Sequence, residues 1–255
     1  MFFAIFLVVA VIAGFYFYYK SKPKTVKTFP AEWENLLQEH VRFYRNLSKE
    51  KQPEFRERIL QFLSETYIDG VGLEITDLDK LLIGSSAVIP VFGFKEWHYY
   101  NLTGVLLYPD YFNEDMQFTN TEKDRNIGGL VGSGRFERKM ILSRRALYAG
   151  FDNTTDKNNT GIHEFAHLID KMDGATDGIP EHLLGHQYVI PWVDLMHKTM
   201  EEINDDESDI RKYGGTNQAE FFAVVSEYFF ERPDLLEAKH PELYKMLEAC
   251  FYPKA

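Results

Sequence analysis

Apolar positions along this chain fall into three regimes. From Phe2 to Tyr19 they run almost without interruption and without a charge. At about 1.5 Å of rise per residue such a run approaches the roughly 30 Å hydrocarbon core of a bilayer. From Ala31 to Thr66 the apolar residues recur at helical spacing instead. Trp33, Leu36, Leu37, Val41 and Tyr44 make one stripe, followed by Phe55, Ile59, Phe62 and Leu63. Gly70-Val71-Gly72 breaks that pattern, and short runs then predict strands at Leu73-Glu74-Ile75, Leu102 to Tyr108, Leu130-Val131-Gly132 and Met140 to Ser143. Asp77 is placed to cap a helix running towards Pro90. Two later segments, Gly161 to Met172 and Gln218 to Glu231, read as further helices, with Asn113 to Asn126 a polar loop. Several helices with a few short strands, without regular strand-helix alternation, predict an α+β fold, mostly helical with a small sheet.

The N-terminal run ends in an aromatic belt, Phe15-Tyr16-Phe17-Tyr18-Tyr19, followed by Lys20, Lys22, Lys24 and Lys27. Aromatic residues at an interface and basic residues on the C-terminal flank predict a transmembrane anchor over 1–20 with the remainder facing the cytoplasm. No basic residue precedes the run and no small-x-small cleavage site follows it, which sets it apart from a cleaved signal peptide. The chain then divides into the anchor at 1–20, a basic linker at 21–29 and one domain at 30–255. A formal net charge of −11 argues against nucleic acid as a general partner. The single cysteine, Cys250, excludes an internal disulfide and any thiolate-rich metal site, so a metal here must use imidazole and carboxylate.

Such a site is suggested at His163-Glu164-Phe165-Ala166-His167. On a helix, His163 and His167 lie one turn apart on one face, so both imidazoles can meet one ion. Zn²⁺ accepts such nitrogen ligands, and Glu164, next to the first of them, can reach a metal-activated water as general base. Asn158-Asn159-Thr160 supplies N-cap chemistry ahead of this helix, and Asp173-Gly174 can end it.

A catalytic metal needs a third protein ligand. Asp170 shares the face of His163 two turns on, where it is better placed to orient a histidine than to bind the ion. Asp173 stands where an extended HExxHxxGxxH motif has its last histidine, but Asp170 replaces the glycine of that motif. Glu220 opens the helix Gln218 to Glu231 on a more polar line shared with Ala223 and Glu227. It also completes Asn-x-x-Glu with Asn217, a capping-box pattern. Periodicity leaves the choice between cap and ligand open.

Taken together, HEFAHLID from His163 to Asp170 and the later Tyr213-Gly214-Gly215-Thr216-Asn217-Gln218-Ala219-Glu220-Phe221-Phe222-Ala223 resemble the zinc metallopeptidase family of the Mlc titration factor. They also resemble the catalytic domain of anthrax lethal factor. The first resemblance extends over roughly Pro30 to Phe251 and includes SEYFFERPDLL. It implies a zincin-type domain with His163, His167 and Glu220 as zinc ligands, and with Tyr213 pointing into the active site. It implies peptide-bond hydrolysis, with an aminopeptidase as one form. In this reading Glu164 takes the proton of the metal-activated water and Tyr213 donates a hydrogen bond to the developing oxyanion. Unlike the thermolysin pattern, Val224 stands where an aspartate is expected.

The family implies a second function class as well, a regulatory protein that sequesters a transcription factor. Partners are therefore a peptide or protein substrate, a transcriptional regulator, and the membrane through the N-terminal segment. Met140 to Ser143 is expected to offer an edge to an extended peptide. Glu227 is placed either to support a ligand or simply to lie on the helix surface. His182, His186, His197 and His240 lack a supporting motif, and the acidic run Glu201 to Glu207 lacks the ligand spacing of a calcium loop.

Overall fold

The architecture is taken from a computed structural model, which describes residues 28–119, 124–132, 134–153 and 155–253. The predicted anchor at 1–20 lies outside the described residues, as does most of the linker. Among the described residues no helix is long and apolar enough to cross a membrane.

The N-terminal stripe forms three helices rather than one: α1 (Ala31–His40), α2 (Arg42–Asn46) and α3 (Lys51–Glu65). Val41 and Leu47 both adopt extended backbone and end the first two helices. Pro53 then sits in the first turn of α3, where its missing N–H leaves no bond unmade. The stripe survives the breaks, because Trp33, Leu37, Val41, Tyr44, Phe55 and Ile59 are all buried in one core.

Strand β1 is Tyr67–Gly70, not the expected Leu73-Glu74-Ile75. Leu73 and Ile75 instead pack as partly buried side chains on the core. Helix α4 (Asp77–Val88) is capped by Thr76, not Asp77, in a reciprocal capping box with Asp79. Three strands then follow close to expectation: β2 (Gly104–Tyr108), β3 (Gly129–Val131) and β4 (Lys139–Ser143). The sheet order is β1-β2-β4-β3, parallel except for β3, which runs antiparallel to β4. This corrects the expectation for Met140 to Ser143. Both edges of β4 are already paired, so it has none to offer a peptide, and the outer strand on that side is β3.

Helices α5 (Arg144–Asp152), α6 (Thr160–Asp170), α7 (Val189–Asn204), α8 (Gln218–Glu231), α9 (Pro233–Lys239) and α10 (Pro241–Phe251) complete the domain. The whole is mostly helical with a small four-stranded sheet, an α+β fold. Helices α6 and α8 run through its middle, almost wholly buried. Gly161 lets α6 approach α4, since a Cβ there would lie 2.1 Å from Ser86 Oγ.

Candidate metal centre

The N-cap of α6 is Asn159, whose side chain accepts from the Ile162 N–H at 3.1 Å. Its Nδ2 donates to the Gly150 carbonyl at 3.1 Å and to Glu231 Oε1 at 3.0 Å. Its main-chain N–H donates to Glu227 Oε2 at 2.5 Å. The start of the motif helix is thus tied to α8 before any histidine is reached. At the other end the helix tightens into a 3-10 turn, Lys171–Asp173, and stops at Gly174 with φ +100°.

His163, His167 and Glu220 come together, with one ligand-type atom from each inside a 4.8 Å sphere of separations. His163 Nε2 and Glu220 Oε2 are 3.1 Å apart, His167 Nε2 and Glu220 Oε2 3.3 Å, and the two Nε2 atoms 3.1 Å. No N–H is aligned on Glu220 Oε2, which is buried and has no hydrogen-bond partner. Three ligand-type atoms, two imidazole nitrogens and one carboxylate oxygen, therefore face one point. Tetrahedral donors about 2.0–2.1 Å from an ion lie roughly 3.3 Å from one another, which is the size of this triangle. The residues present fit a metal ion.

Of the capping box expected with Asn217 only the Asn217 half is made. The Glu220 main-chain N–H is capped by Asn217 Oδ1 at 3.0 Å, while its carboxylate turns to the histidines. Burial works against its charge, but His163 and His167 outweigh that and hold it well below the usual carboxylate range.

Glu227, two turns further along α8 and fully buried, accepts at 2.7 Å from His163 Nδ1 and also from the Arg211 guanidinium. A carboxylate can only accept, so Nδ1 carries the hydrogen and Nε2 of His163 is directed into the triangle. Burial opposes a charge on His163, yet Glu227 and Glu220, with Glu164 behind them, push its pKa up to about 10. Three carboxylates around two imidazoles call for positive charge in the triangle, from a proton or a metal ion.

Glu164 is buried, and burial raises its pKa against the lowering influence of His163 and His167. Its side chain lies along the outer strand: a Cβ at Gly129 would sit 2.5 Å from Glu164 Cγ and 2.6 Å from Oε1. Only glycine leaves room for this carboxylate beside β3. Tyr213, on the 3-10 turn Lys212–Gly215, is half exposed and stacks on His163 with ring centroids 6.0 Å apart. Partial burial and the carboxylates of Glu220 and Glu164 push its pKa up to about 12, so it keeps its proton at neutral pH.

The other candidates lie elsewhere. Asp170 does not orient a histidine: its Oδ2 accepts from the Gly178 N–H at 3.0 Å, and burial lifts its pKa to about 6. Asp173 accepts from Ala175 N–H at the helix end. His197 pairs with Gln218, and His240 with Asp209. Sequence reasoning missed Arg211 and the role of Gly129. Both depend on contacts between segments far apart in the chain. Glu227 was more accessible, since its seven-residue spacing from Glu220 puts it on the same face of α8.

Two histidines one turn apart on one helix, met by a glutamate from a second helix, are a donor set of the kind metallopeptidases use. The chain belongs to the glucose-regulated metallo-peptidase M90 family, whose sequence model matches residues 18–252. It is similar to Mlc titration factor A of Cronobacter sakazakii, 30% identical over 87% of this chain and 85% of that protein. Mlc titration factor A of Klebsiella pneumoniae is 28% identical over 84% of this chain and 82% of its own length. An uncharacterized protein of a Synechocystis strain is 28% identical over 91% and 88%.

Proposed function

We propose that the chain is a zinc-dependent peptidase in which His163, His167 and Glu220 hold the ion and Glu164 is the general base. The observation that carries this reading is the triangle of three donor atoms with Glu164 on the residue next to the first histidine. Two imidazoles and one carboxylate, without thiolate, are a ligand set that catalytic zinc uses. Zinc bound there supplies Lewis acidity, making water a better nucleophile at neutral pH and polarising the scissile carbonyl.

The chain's own residues do the rest. Glu164 accepts the proton that the attacking water loses and returns it to the nitrogen of the departing amine, so the carboxylate ends as it began. Tyr213, protonated and next to His163, donates its hydroxyl hydrogen to the carbonyl oxygen as negative charge develops there. Glu227 keeps His163 in one tautomer and one orientation. Strand β3, which lies against Glu164, is the strand that an extended peptide would join. An aminopeptidase is one form of this activity. The direct test is Glu164→Gln, which keeps the size of the side chain and removes the base. Peptide-library cleavage should fall by about 10²–10⁴-fold with metal content unchanged; full turnover would sink the assignment.

A second reading is supported by the name of the relatives, which refers to titration of Mlc. In it the domain also engages a transcriptional regulator. Calorimetric titration with Mlc checks it, and the absence of any heat at micromolar protein would remove it. The family match begins at residue 18, near the end of the apolar segment. We retain 1–20 as a membrane anchor with a cytoplasmic domain. A C-terminal reporter active only outside the cytoplasm would refute that orientation.

A further inference from the structure

Away from the triangle, the domain encloses a cavity of about 760 Å³ that the proposed hydrolysis does not use. Its size falls within the range of small-molecule sites, roughly 300–1,000 Å³. The inner wall is apolar and largely aromatic. Phe43 meets Phe92 edge-on at 5.7 Å and Phe230 at 6.4 Å, and Phe229 packs on Phe230 at 5.1 Å. Ile162, next to His163 in sequence, and Glu231 are buried at its inner end.

The mouth differs. Arg42, Lys51 and Lys95 line it, the two lysines exposed. Two carboxyl residues accompany them: Glu54, 2.8 Å from Lys51 Nζ, and buried Glu231, whose main-chain carbonyl accepts from Arg42 Nη1 at 3.2 Å, which leaves one positive charge in excess. On a chain of net charge −11 this is a local reversal of sign. An apolar chamber with a basic mouth orients its ligand, tail inward and negative head outward. Glu231 reinforces that order. Its carboxyl is buried and accepts from Asn159 Nδ2 at Oε1, which makes the buried end a poorer seat for an anionic head than the exposed lysines.

From this geometry we infer that the cavity is a binding site for a free single-chain amphiphile with an anionic head, such as a medium-chain carboxylate. The inference is independent of the peptidase reading, because none of its lining residues belongs to the triangle.

The test uses the full chain and dodecanoic acid carrying a diazirine in its tail, with the matching dodecanol as the neutral probe. Irradiation and peptide mapping should place the carboxylate label on segments 42–51, 92–95 and 229–233. The alcohol should label them less. The double variant Lys51→Glu with Lys95→Glu changes only exposed side chains and should cut carboxylate labelling roughly fivefold or more, as loss of two exposed charge contacts would. Asn46→Trp, which narrows the mouth without altering charge, should reduce labelling by both probes. Equal labelling by acid and alcohol, or indifference to the double variant, would overturn the inference. So would a cross-link between residues 1–20 and the cavity, which would make the chain's own apolar segment the occupant.

Discussion

Two buried-edge carboxylates in this domain are held in their charged form by their neighbours, and they are built in opposite ways. Asp209 accepts from four donors: His240 Nε2 at 2.8 Å, the Tyr228 hydroxyl at 2.9 Å, Lys157 Nζ at 3.0 Å and Lys239 Nζ at 3.1 Å. Burial opposes its charge, and these donors more than offset it. Glu220 is also well below the usual carboxylate range, but the neighbours that lower it, at 3.1–3.3 Å, are two imidazole nitrogens, groups that serve equally as donors to a carboxylate and as ligands to a metal. The first cluster is complete within the protein and ties α8 to α9 and to the loop at Lys157. The second brings two imidazoles and a carboxylate to one point, where a proton or a metal ion can satisfy all three. A depressed carboxylate therefore does not mark a functional site by itself; the kind of atoms around it does.

The contrast can be broken at either cluster. Glu227→Gln should weaken metal binding by about 10–100-fold, since it puts an amide where Asn159 N–H and Arg211 now find an acceptor. Competition against a chelator of known affinity reads this directly. Asp209→Asn should do the reverse, costing about 1–3 kcal/mol of stability in denaturant melts while leaving metal affinity within twofold of the parent. If Asp209→Asn lost the metal, the two clusters would not be separate.

A third carboxyl sharpens the same point. Burial raises the pKa of Glu231 from 4.5 to about 7, against the lowering influence of the Asn159 hydrogen bond and the Arg42 charge. An acid with a raised pKa in the folded state binds more protons folded than unfolded between those values. Its contribution to stability is present below about pH 4.5 and is lost as the pH rises through about 7. The melting temperature should fall between pH 5 and pH 8 by more in the parent than in Glu231→Gln. Equal slopes would show that Glu231 titrates normally.

Much of this was legible in the sequence, for reasons that differ by element. Helices α6 and α8 carried both a period and end signals: Asn159 and Asn217 cap them, and Gly174 stops the first. The strands β2, β3 and β4 were found as short apolar runs, yet their order in the sheet was not, because parallel pairing across a helical crossover leaves no local mark. That is why Met140 to Ser143 reads as an edge in the sequence although it is internal in the sheet. The long N-terminal stripe concealed two breaks, since burial of Val41 keeps the apolar spacing while its backbone leaves the helix. At the site, spacing alone placed His163 and His167 on one face. The approach of Glu220, and the support from Glu227, required α8 to pack on α6, a contact between segments more than fifty residues apart that no local spacing records.

The metal centre stands or falls on Glu220. Elemental analysis of the purified full chain should find close to one zinc per chain in the parent and in Asp209→Asn, and almost none in Glu220→Ala. Stoichiometric zinc retained in Glu220→Ala would contradict the assignment and move the third ligand to Asp170 or Asp173.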